Sequence, residues 1–400
     1  MKLLQINSVA NIGSTGRIAE QIGQAAMKAG WESYIAYGRE AGQSQSHLIK
    51  IGSQLDVMWH GVVTRLFDRH GLASKRATKK FVSQIKEIQP DIIHLHNIHG
   101  YYLNYEILFE YLSKADIPVV WTFHDCWAMT GHCSHFVKIG CFRWKNKCND
   151  CPLLQDYPKS FFDGAERNYS RKRNSFDIEK LNIVSVSKWL NSVVEESYLS
   201  KIDKYIIYNG VDIDLFKPVK SNIKKDIGLE DKKVLLGVAT AWSESKGLDD
   251  YYKLSKRLPE EYQIILIGVK PNQIRKLPKG IIGIERTNNI DELVQYYSAA
   301  DVVMNLSYAE TFGLTTVEGF ACGTPSIVYD TTASPELITE NTGIVVPSGD
   351  ISAVKDAVVE ICRKGKNHYS QFCRERALTH FNKEDKFKEY IELYKKILKQ

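Results

Sequence analysis

The segment Glu310-Thr-Phe-Gly-Leu-Thr-Thr-Val-Glu318 places two carboxylates on either side of a short apolar and glycine-bearing stretch. It follows Asp301-Val-Val-Met-Asn-Leu-Ser307, which reads as a buried strand, and it runs into a helical pattern from Thr316 to Ala321. Glu310 therefore falls on a strand-to-helix loop. Phe312, Gly313 and Leu314 would present backbone N–H groups at a helix N-terminus, where orphan donors and the helix dipole favour an anion. Glu318 follows Leu314 by about one turn and can point back toward the same place. Acids that grip hydroxyls around amides that grip phosphate suit a sugar joined to a diphosphate. The same residues also read as a helix-start glutamate and an unrelated surface glutamate, so the pair needs company.

Other segments supply it. Lys246-Gly247 follows an apolar run at 233–239, which would set the lysine at a sheet edge where its ammonium can neutralise a pyrophosphate. Gly13-Ser-Thr-Gly16 sits between the first strand and the first helix, where the backbone can approach a phosphate or an acceptor closely. By itself that glycine pair is a weak signal, and a simple tight turn explains it better.

A different chemistry is suggested by residues 126–151. Five of the eight cysteines fall there, Cys126, Cys133, Cys141, Cys148 and Cys151, together with His132 and His135. Disulfides are disfavoured in a cytosolic protein, so a metal site is expected. Cys148-x-x-Cys151 has the spacing of a zinc half-site, and Cys133 and Cys141 would complete four thiolates. The wide spacing of the first pair leaves Cys126 or a histidine as substitutes, and buried free thiols remain an alternative. The metal would be structural, pinning a loop-rich stretch beside His124.

These residues must be held by a scaffold, and the hydrophobic pattern describes one. Short apolar runs at 3–7, 33–37, 91–96, 119–123 and 182–187 alternate with helical patterns such as 16–28, 57–68 and 77–88. The second half repeats the scheme with runs at 233–239, 263–268, 281–284, 301–306 and 326–329. Continuous apolar runs of this length read as buried parallel strands. The chain is expected to be α/β, with two doubly wound Rossmann-like domains whose ligands bind at strand C-terminal ends, in a cleft between the two. The boundaries are 1–207, carrying the cysteine-rich insert 126–152, then 208–382, and a C-terminal helix 383–400 packing back on the first domain.

Hydrophobic residues make up 44% of the 400 and charged residues 25%, ordinary for a globular protein. No apolar run approaches the ~18 residues of a membrane span, and the first residues read as a strand, so a cytoplasmic protein is expected. Residues 1–205 carry 26 basic against 20 acidic side chains, which accounts for the whole net charge of +6. That bias suits an anionic partner or a membrane surface better than nucleic acid.

With the pieces assembled, the chain resembles retaining glycosyltransferases of family 4, which have the GT-B fold. The resemblance rests on Gly13-Ser-Thr-Gly16, Thr122-Phe-His-Asp125, Asn209-Gly-Val-Asp212 with Phe216-Lys-Pro218, Lys246-Gly247, Ala300-Asp301, the Glu310-to-Glu318 segment, Gly323-Thr-Pro325 and Ser334-Pro-Glu-Leu-Ile338. Within the family it looks most like bacterial enzymes that build capsule, exopolysaccharide or O-antigen repeats. The resemblance implies that Glu310 contacts donor-sugar hydroxyls, Glu318 the ribose, and Lys246 with the amides of 312–314 the diphosphate. It implies that His124 faces the reacting sugar and that Asp125 sets the imidazole or contacts acceptor. The arginine that the family carries five residues before the lysine is Ala241 here, and Trp242 beside it reads either as a stacking platform or as a core aromatic. No catalytic metal is expected, because Asp212-Ile-Asp214 lies in the connection between domains.

The expected function is transfer of a hexose from a UDP- or GDP-sugar to a lipid-linked oligosaccharide. The alternative is a catalytically weak nucleotide-sugar-binding scaffold, suggested by Ala241. Trp59, Leu66 and Phe67 lie among Arg65, Arg69, Lys75, Arg76, Lys79 and Lys80, a pattern that suits peripheral contact with an anionic inner-membrane surface. A solvated helix face reads equally well. No nucleic-acid partner is expected.

Overall fold

Strands buried on both faces organise the chain into two separate parallel sheets. The computed structural model describes residues 1–399 and divides into two units, residues 1–208 with 386 onward, and residues 209–385. In the first unit the strands are β1 Lys2–Asn7, β2 Glu32–Tyr37, β3 His47–Lys50, β4 Ile92–Leu95, β5 Val119–Phe123, β6 Leu181–Ser185 and β7 Asp203–Ile206. They lie in the order β3-β2-β1-β4-β5-β6-β7, every pair parallel. In the second unit β8 Lys233–Val238, β9 Tyr262–Ile267, β10 Ile281–Ile284, β11 Val302–Asn305, β12 Ser326–Tyr329 and β13 Gly343–Val346 lie in the order β10-β9-β8-β11-β12-β13, again parallel.

Parallel neighbours require crossovers, and helices supply most of them. In each sheet the strand order reverses, between β1 and β4 and between β8 and β11. In doubly wound sheets, ligands bind outside the strand C-terminal ends at such a reversal. The strands β4, β5, β6, β11 and β12 are buried at every residue, which is why each reads as a largely apolar run.

The last helix, Lys383–Ile397, carries Phe387, Tyr390, Ile391, Tyr394 and Ile397 on one face. That face packs into the core of the first unit with Leu3, Ile92, Val120, Val184 and Trp31. Each such side chain contributes roughly 1.5–3 kcal/mol by leaving water. Two tyrosine hydroxyls are satisfied inside that contact. Tyr394 donates to His94 Nδ1 at 2.6 Å, and Thr122 donates to Tyr390 at 3.2 Å.

The insert between β5 and the helix Ala165–Ser175 contains only three short 3-10 turns. Its centre is a stack of Phe136 on Trp144, with ring centroids 4.8 Å apart. The first helix begins at Gly13, so Gly16 lies inside its opening turn. A Cβ on Gly16 would stand 3.0 Å from Val9 Cγ2 and 3.1 Å from the Asn11 nitrogen, so the residue serves close packing of helix on loop.

Candidate functional site

In the second unit, Lys246 and Glu310 come together at the C-terminal ends of β8 and β11. Lys246 Nζ donates to Glu310 Oε1 at 2.6 Å. Lys246 ends a 3-10 turn, Glu244–Lys246, which Gly247 closes in the left-handed region at φ 71°. A Cβ on Gly247 would stand 2.1 Å from the Leu306 carbonyl oxygen, so glycine is required for the loop after β8 to lie against the end of β11. Glu310 is anchored through its backbone: its N–H donates to Thr332 Oγ1 at 2.9 Å and its carbonyl accepts from Ala333 at 3.1 Å.

The helix that follows is Leu314–Ala321, and its N-cap is Gly313 at φ 98°, with no side chain capping the first turn. With no side chain capping it, this helix N-terminus is an anion-attracting end beside the Lys246–Glu310 pair. Glu318 sits one turn on and accepts the hydroxyl of Tyr297 at 2.7 Å. Trp242 is core rather than a stacking platform: it is buried and its indole N–H donates to the Ile267 carbonyl at 2.9 Å. Ala241 is exposed. Asp212 is occupied elsewhere, accepting from Lys383 Nζ at 2.6 Å and from the backbone N–H of Asp214 and Leu215.

In the first unit, histidines gather where β4 and β5 end. His96, Asn97, His99, His124 and Asp125 line a small pocket with Trp127. The hydrogen bonds fix tautomers along one chain. Gln5 Nε2 donates to the Ala19 carbonyl at 2.7 Å, which turns Gln5 Oε1 toward His96 Nε2 at 3.1 Å. His96 must then carry its proton on Nε2 and accept at Nδ1, where His124 Nε2 lies 3.1 Å away. His124 donates through Nε2. Burial pushes the His124 pKa down to about 4 and that of His96 well below the usual histidine range, so both rings are neutral at pH 7.

Asp125 does not set His124 by a direct bond. Its Oδ2 pairs with His99 Nε2 at 2.8 Å, and its Oδ1 accepts the Trp127 N–H at 2.8 Å. Burial alone would raise the Asp125 carboxyl, but His99, by charge and hydrogen bond, holds it below the usual carboxylate range, with help from His135 and the Trp127 amide. His99 Nδ1 continues to Tyr157 Oη at 3.3 Å, and Tyr157 to His70 Nε2 at 3.3 Å. Sequence reasoning did not single out His99. Its signal was the run His94-Leu-His96-Asn-Ile-His99, three histidines leaving one strand end.

The four cysteines expected to bind zinc, Cys133, Cys141, Cys148 and Cys151, line one cavity together with His132. All eight cysteines are free thiols. Among the described residues no three His, Cys, Asp or Glu side chains are grouped so as to hold a metal ion, so the expected four-thiolate shell is not formed in this structure. Cys133 and Cys151 instead share a thiol–thiol hydrogen bond, and Cys141 stands half-exposed at the rim.

Two parallel-sheet units with charged and amide groups at their strand ends define a GT-B architecture. The chain matches the family model "Glycosyltransferase Family 4" over residues 15–215 and "Glycosyl transferases group 1" over residues 232–364. It belongs to glycosyltransferase family 4. The putative colanic acid biosynthesis glycosyl transferase WcaC of Escherichia coli (strain K12) is 30% identical over 188 residues, 44% of this chain and 45% of that relative. The chain thus spans less than half of WcaC. A 41.2 kDa protein of the cps region of Klebsiella pneumoniae is 24% identical over 92% of this chain and 97% of its own length. Among solved structures, sucrose-phosphate synthase from Thermosynechococcus elongatus superposes with TM-score 0.73 at 18% identity, covering 99% of this chain and 98% of that one. Anabaena HepE in complex with UDP superposes with TM-score 0.71 at 15% identity, covering 99% of this chain and all of that one. These two share the fold.

Proposed function

We propose that this protein is a retaining glycosyltransferase that moves a hexose from a UDP- or GDP-sugar to a lipid-linked oligosaccharide of a bacterial surface polysaccharide. The observation that carries the reading is the Lys246–Glu310 pair beside the uncapped N-terminus at Gly313. Lys246 and the amides of Phe312, Gly313 and Leu314 hold the diphosphate, and they stabilise it as charge develops on the leaving group. Glu310 accepts donor-sugar hydroxyls and Glu318 the ribose. Neutral His124 faces the reacting sugar, and Asp125, kept ionised beside His99, holds the acceptor. No residue of this set requires a catalytic metal. The structures of HepE in complex with UDP and with UDP-glucose support a nucleotide-sugar donor. The cps-region and colanic acid relatives support the polysaccharide.

The acceptor assignment draws on the helix Gln54–Phe67, which is inside out. It buries the polar His60 and Thr64, and exposes Leu55, Met58, Trp59, Val62, Leu66 and Phe67. Exposed Arg65, Arg69, Lys75, Arg76, Lys79 and Lys80 accompany that face. An apolar face with basic neighbours fits an anionic bilayer, where a lipid-linked acceptor would be presented. Among the described residues no helix is long and apolar enough to cross a membrane.

The test is donor hydrolysis and transfer by purified protein with UDP- and GDP-sugars, with Glu310→Ala and His124→Ala in parallel. Turnover with one donor, lost in both variants, supports the transferase. Donor binding without turnover on any supplied lipid acceptor would favour the scaffold reading that exposed Ala241 suggests.

A further inference from the structure

His132 is among the buried polar side chains that keep an unsatisfied atom among the described residues. It is 2% exposed, its Nδ1 lies 2.6 Å from Asp68 Oδ1, and its Nε2 is buried with no hydrogen-bond partner. A buried imidazole nitrogen without a partner is costly and calls for an occupant. That nitrogen belongs to the residue that lines the cysteine cavity beside Cys133, Cys148 and Cys151.

The surroundings match the outer shell of a metal site. A carboxylate that binds one imidazole nitrogen fixes the tautomer and ring so that the other nitrogen faces the ion. Asp68 is itself held firmly: its Oδ2 accepts the Gly164 N–H at 2.9 Å, its carbonyl accepts Asn168 Nδ2 at 2.5 Å, and its backbone sits in the left-handed region at φ 51°. Backbone N–H groups of Gly131 and Leu153 point at the sulfurs of Cys148 and Cys151, as donors to thiolates do. The Lys172 ammonium is 1% exposed, donates to the Trp127 and Thr130 carbonyls, and stands 3.5 Å from the Trp127 ring centroid. Three thiolates and a divalent cation carry one net negative charge, which complements this buried ammonium.

We propose that His132 Nε2 and the sulfurs of Cys133, Cys148 and Cys151 bind a structural Zn²⁺, with Asp68 as the carboxylate behind the histidine. In the thiol state these groups are not converged on a common point. Loading replaces the S–H protons, opens the Cys133–Cys151 contact, and draws three sulfurs onto the imidazole nitrogen. Zn–S distances of about 2.3 Å and Zn–N of about 2.0–2.1 Å define the closed shell. Cys141 lies outside it. The ion would tie the insert to Asp68, at the C-cap of the inside-out helix, and so to the wall that carries His99 and Asp125.

The experiment is zinc content of the full chain by mass spectrometry after purification without chelator, followed by replacement with Co²⁺. Expected are one zinc per chain in the wild type and in Cys141→Ser, and cobalt absorption of a tetrahedral thiolate-bound ion in both. Asp68→Asn should weaken zinc about 10- to 100-fold in chelator competition, and Cys151→Ser should lose the cobalt thiolate charge-transfer band or reduce it. Absence of zinc and of a cobalt spectrum in the wild type overturns the proposal. Zinc lost in Cys141→Ser but kept unchanged in His132→Gln also overturns it, because four thiolates would then be the ligands.

Discussion

His99 Nε2 lies 2.8 Å from Asp125 Oδ2, and this pair, rather than a bond between the adjacent His124 and Asp125, governs the charge at the end of β5. His99 opposes the burial that would otherwise raise the Asp125 carboxyl. Replacing His99 by alanine is therefore expected to raise the Asp125 pKa. The acid limb of the pH–rate profile should move to higher pH, while the profile of Tyr157→Phe should move little. A limb that stays in place in His99→Ala would show that Asp125 does not set it.

Lys246 and Glu310 make opposite demands on a donor. Lys246→Ala should lower kcat/KM about 10²–10³-fold, the usual loss for one preorganised electrostatic contact. Glu310→Gln should lower turnover too, yet it frees the ammonium from a partly exposed ion pair worth about 1 kcal/mol. Affinity for the free nucleoside diphosphate should then rise, up to roughly fivefold. Calorimetric titration of both variants checks the opposite signs. Weaker diphosphate binding in Glu310→Gln would place the phosphates away from Lys246.

Much of this was legible in the sequence, and the omissions follow a physical rule. Ten strands are legible as short apolar runs, most clearly β4, β5, β6, β11 and β12, which are buried on both faces. β3, β7 and β13 are not among them, and each is an edge strand in which half or more of the residues are not buried. β3 and β7 lack an apolar run, whereas the edge strand β10, Ile-Ile-Gly-Ile, carries one and is legible. Motif residues such as Glu310 and Lys246 could be named, but their contact joins positions 64 apart, which spacing cannot disclose. The His99–Asp125 pair and the Asp68–His132 pair were invisible for the same reason. Trp242 shows the converse: its type suggested a ligand platform, and only the Ile267 carbonyl reveals it as core.

Buried neutral histidines set an acid limit on stability. Burial depresses the pKa of His60 to about 3 and of His124 to about 4, and holds His70, His94 and His96 well below the usual range. Unfolded histidine takes up a proton near pH 6.5. Between pH 6.5 and 4 the unfolded chain therefore binds more protons than the native one, so stability falls as pH falls. Each such histidine contributes up to about 1.4 kcal/mol per pH unit in that window. Urea midpoints should drop steadily from pH 6.5 to 4.5. A flat profile through the acid window would mean that these rings accept protons inside the fold.

The inside-out helix makes its own prediction. Leu55, Trp59 and Val62 are 75%, 63% and 45% exposed, and the neighbouring segment adds exposed Phe161 and Phe162. The two are coupled: the Phe161 N–H donates to the Arg65 carbonyl at 2.9 Å, and the Arg65 guanidinium lies 5.7 Å from the Phe161 ring centroid. Apolar side chains would enter the headgroup layer while the arginines and lysines meet its charge. The protein is expected to float with phosphatidylglycerol vesicles, to float less at high salt, and to remain largely free of phosphatidylcholine vesicles. Leu55→Glu with Trp59→Glu should abolish flotation and leave the melting temperature within a few degrees, since neither side chain packs in the core. Wild-type protein that stays in solution with anionic vesicles would remove the membrane from the assignment and leave this face for a protein partner.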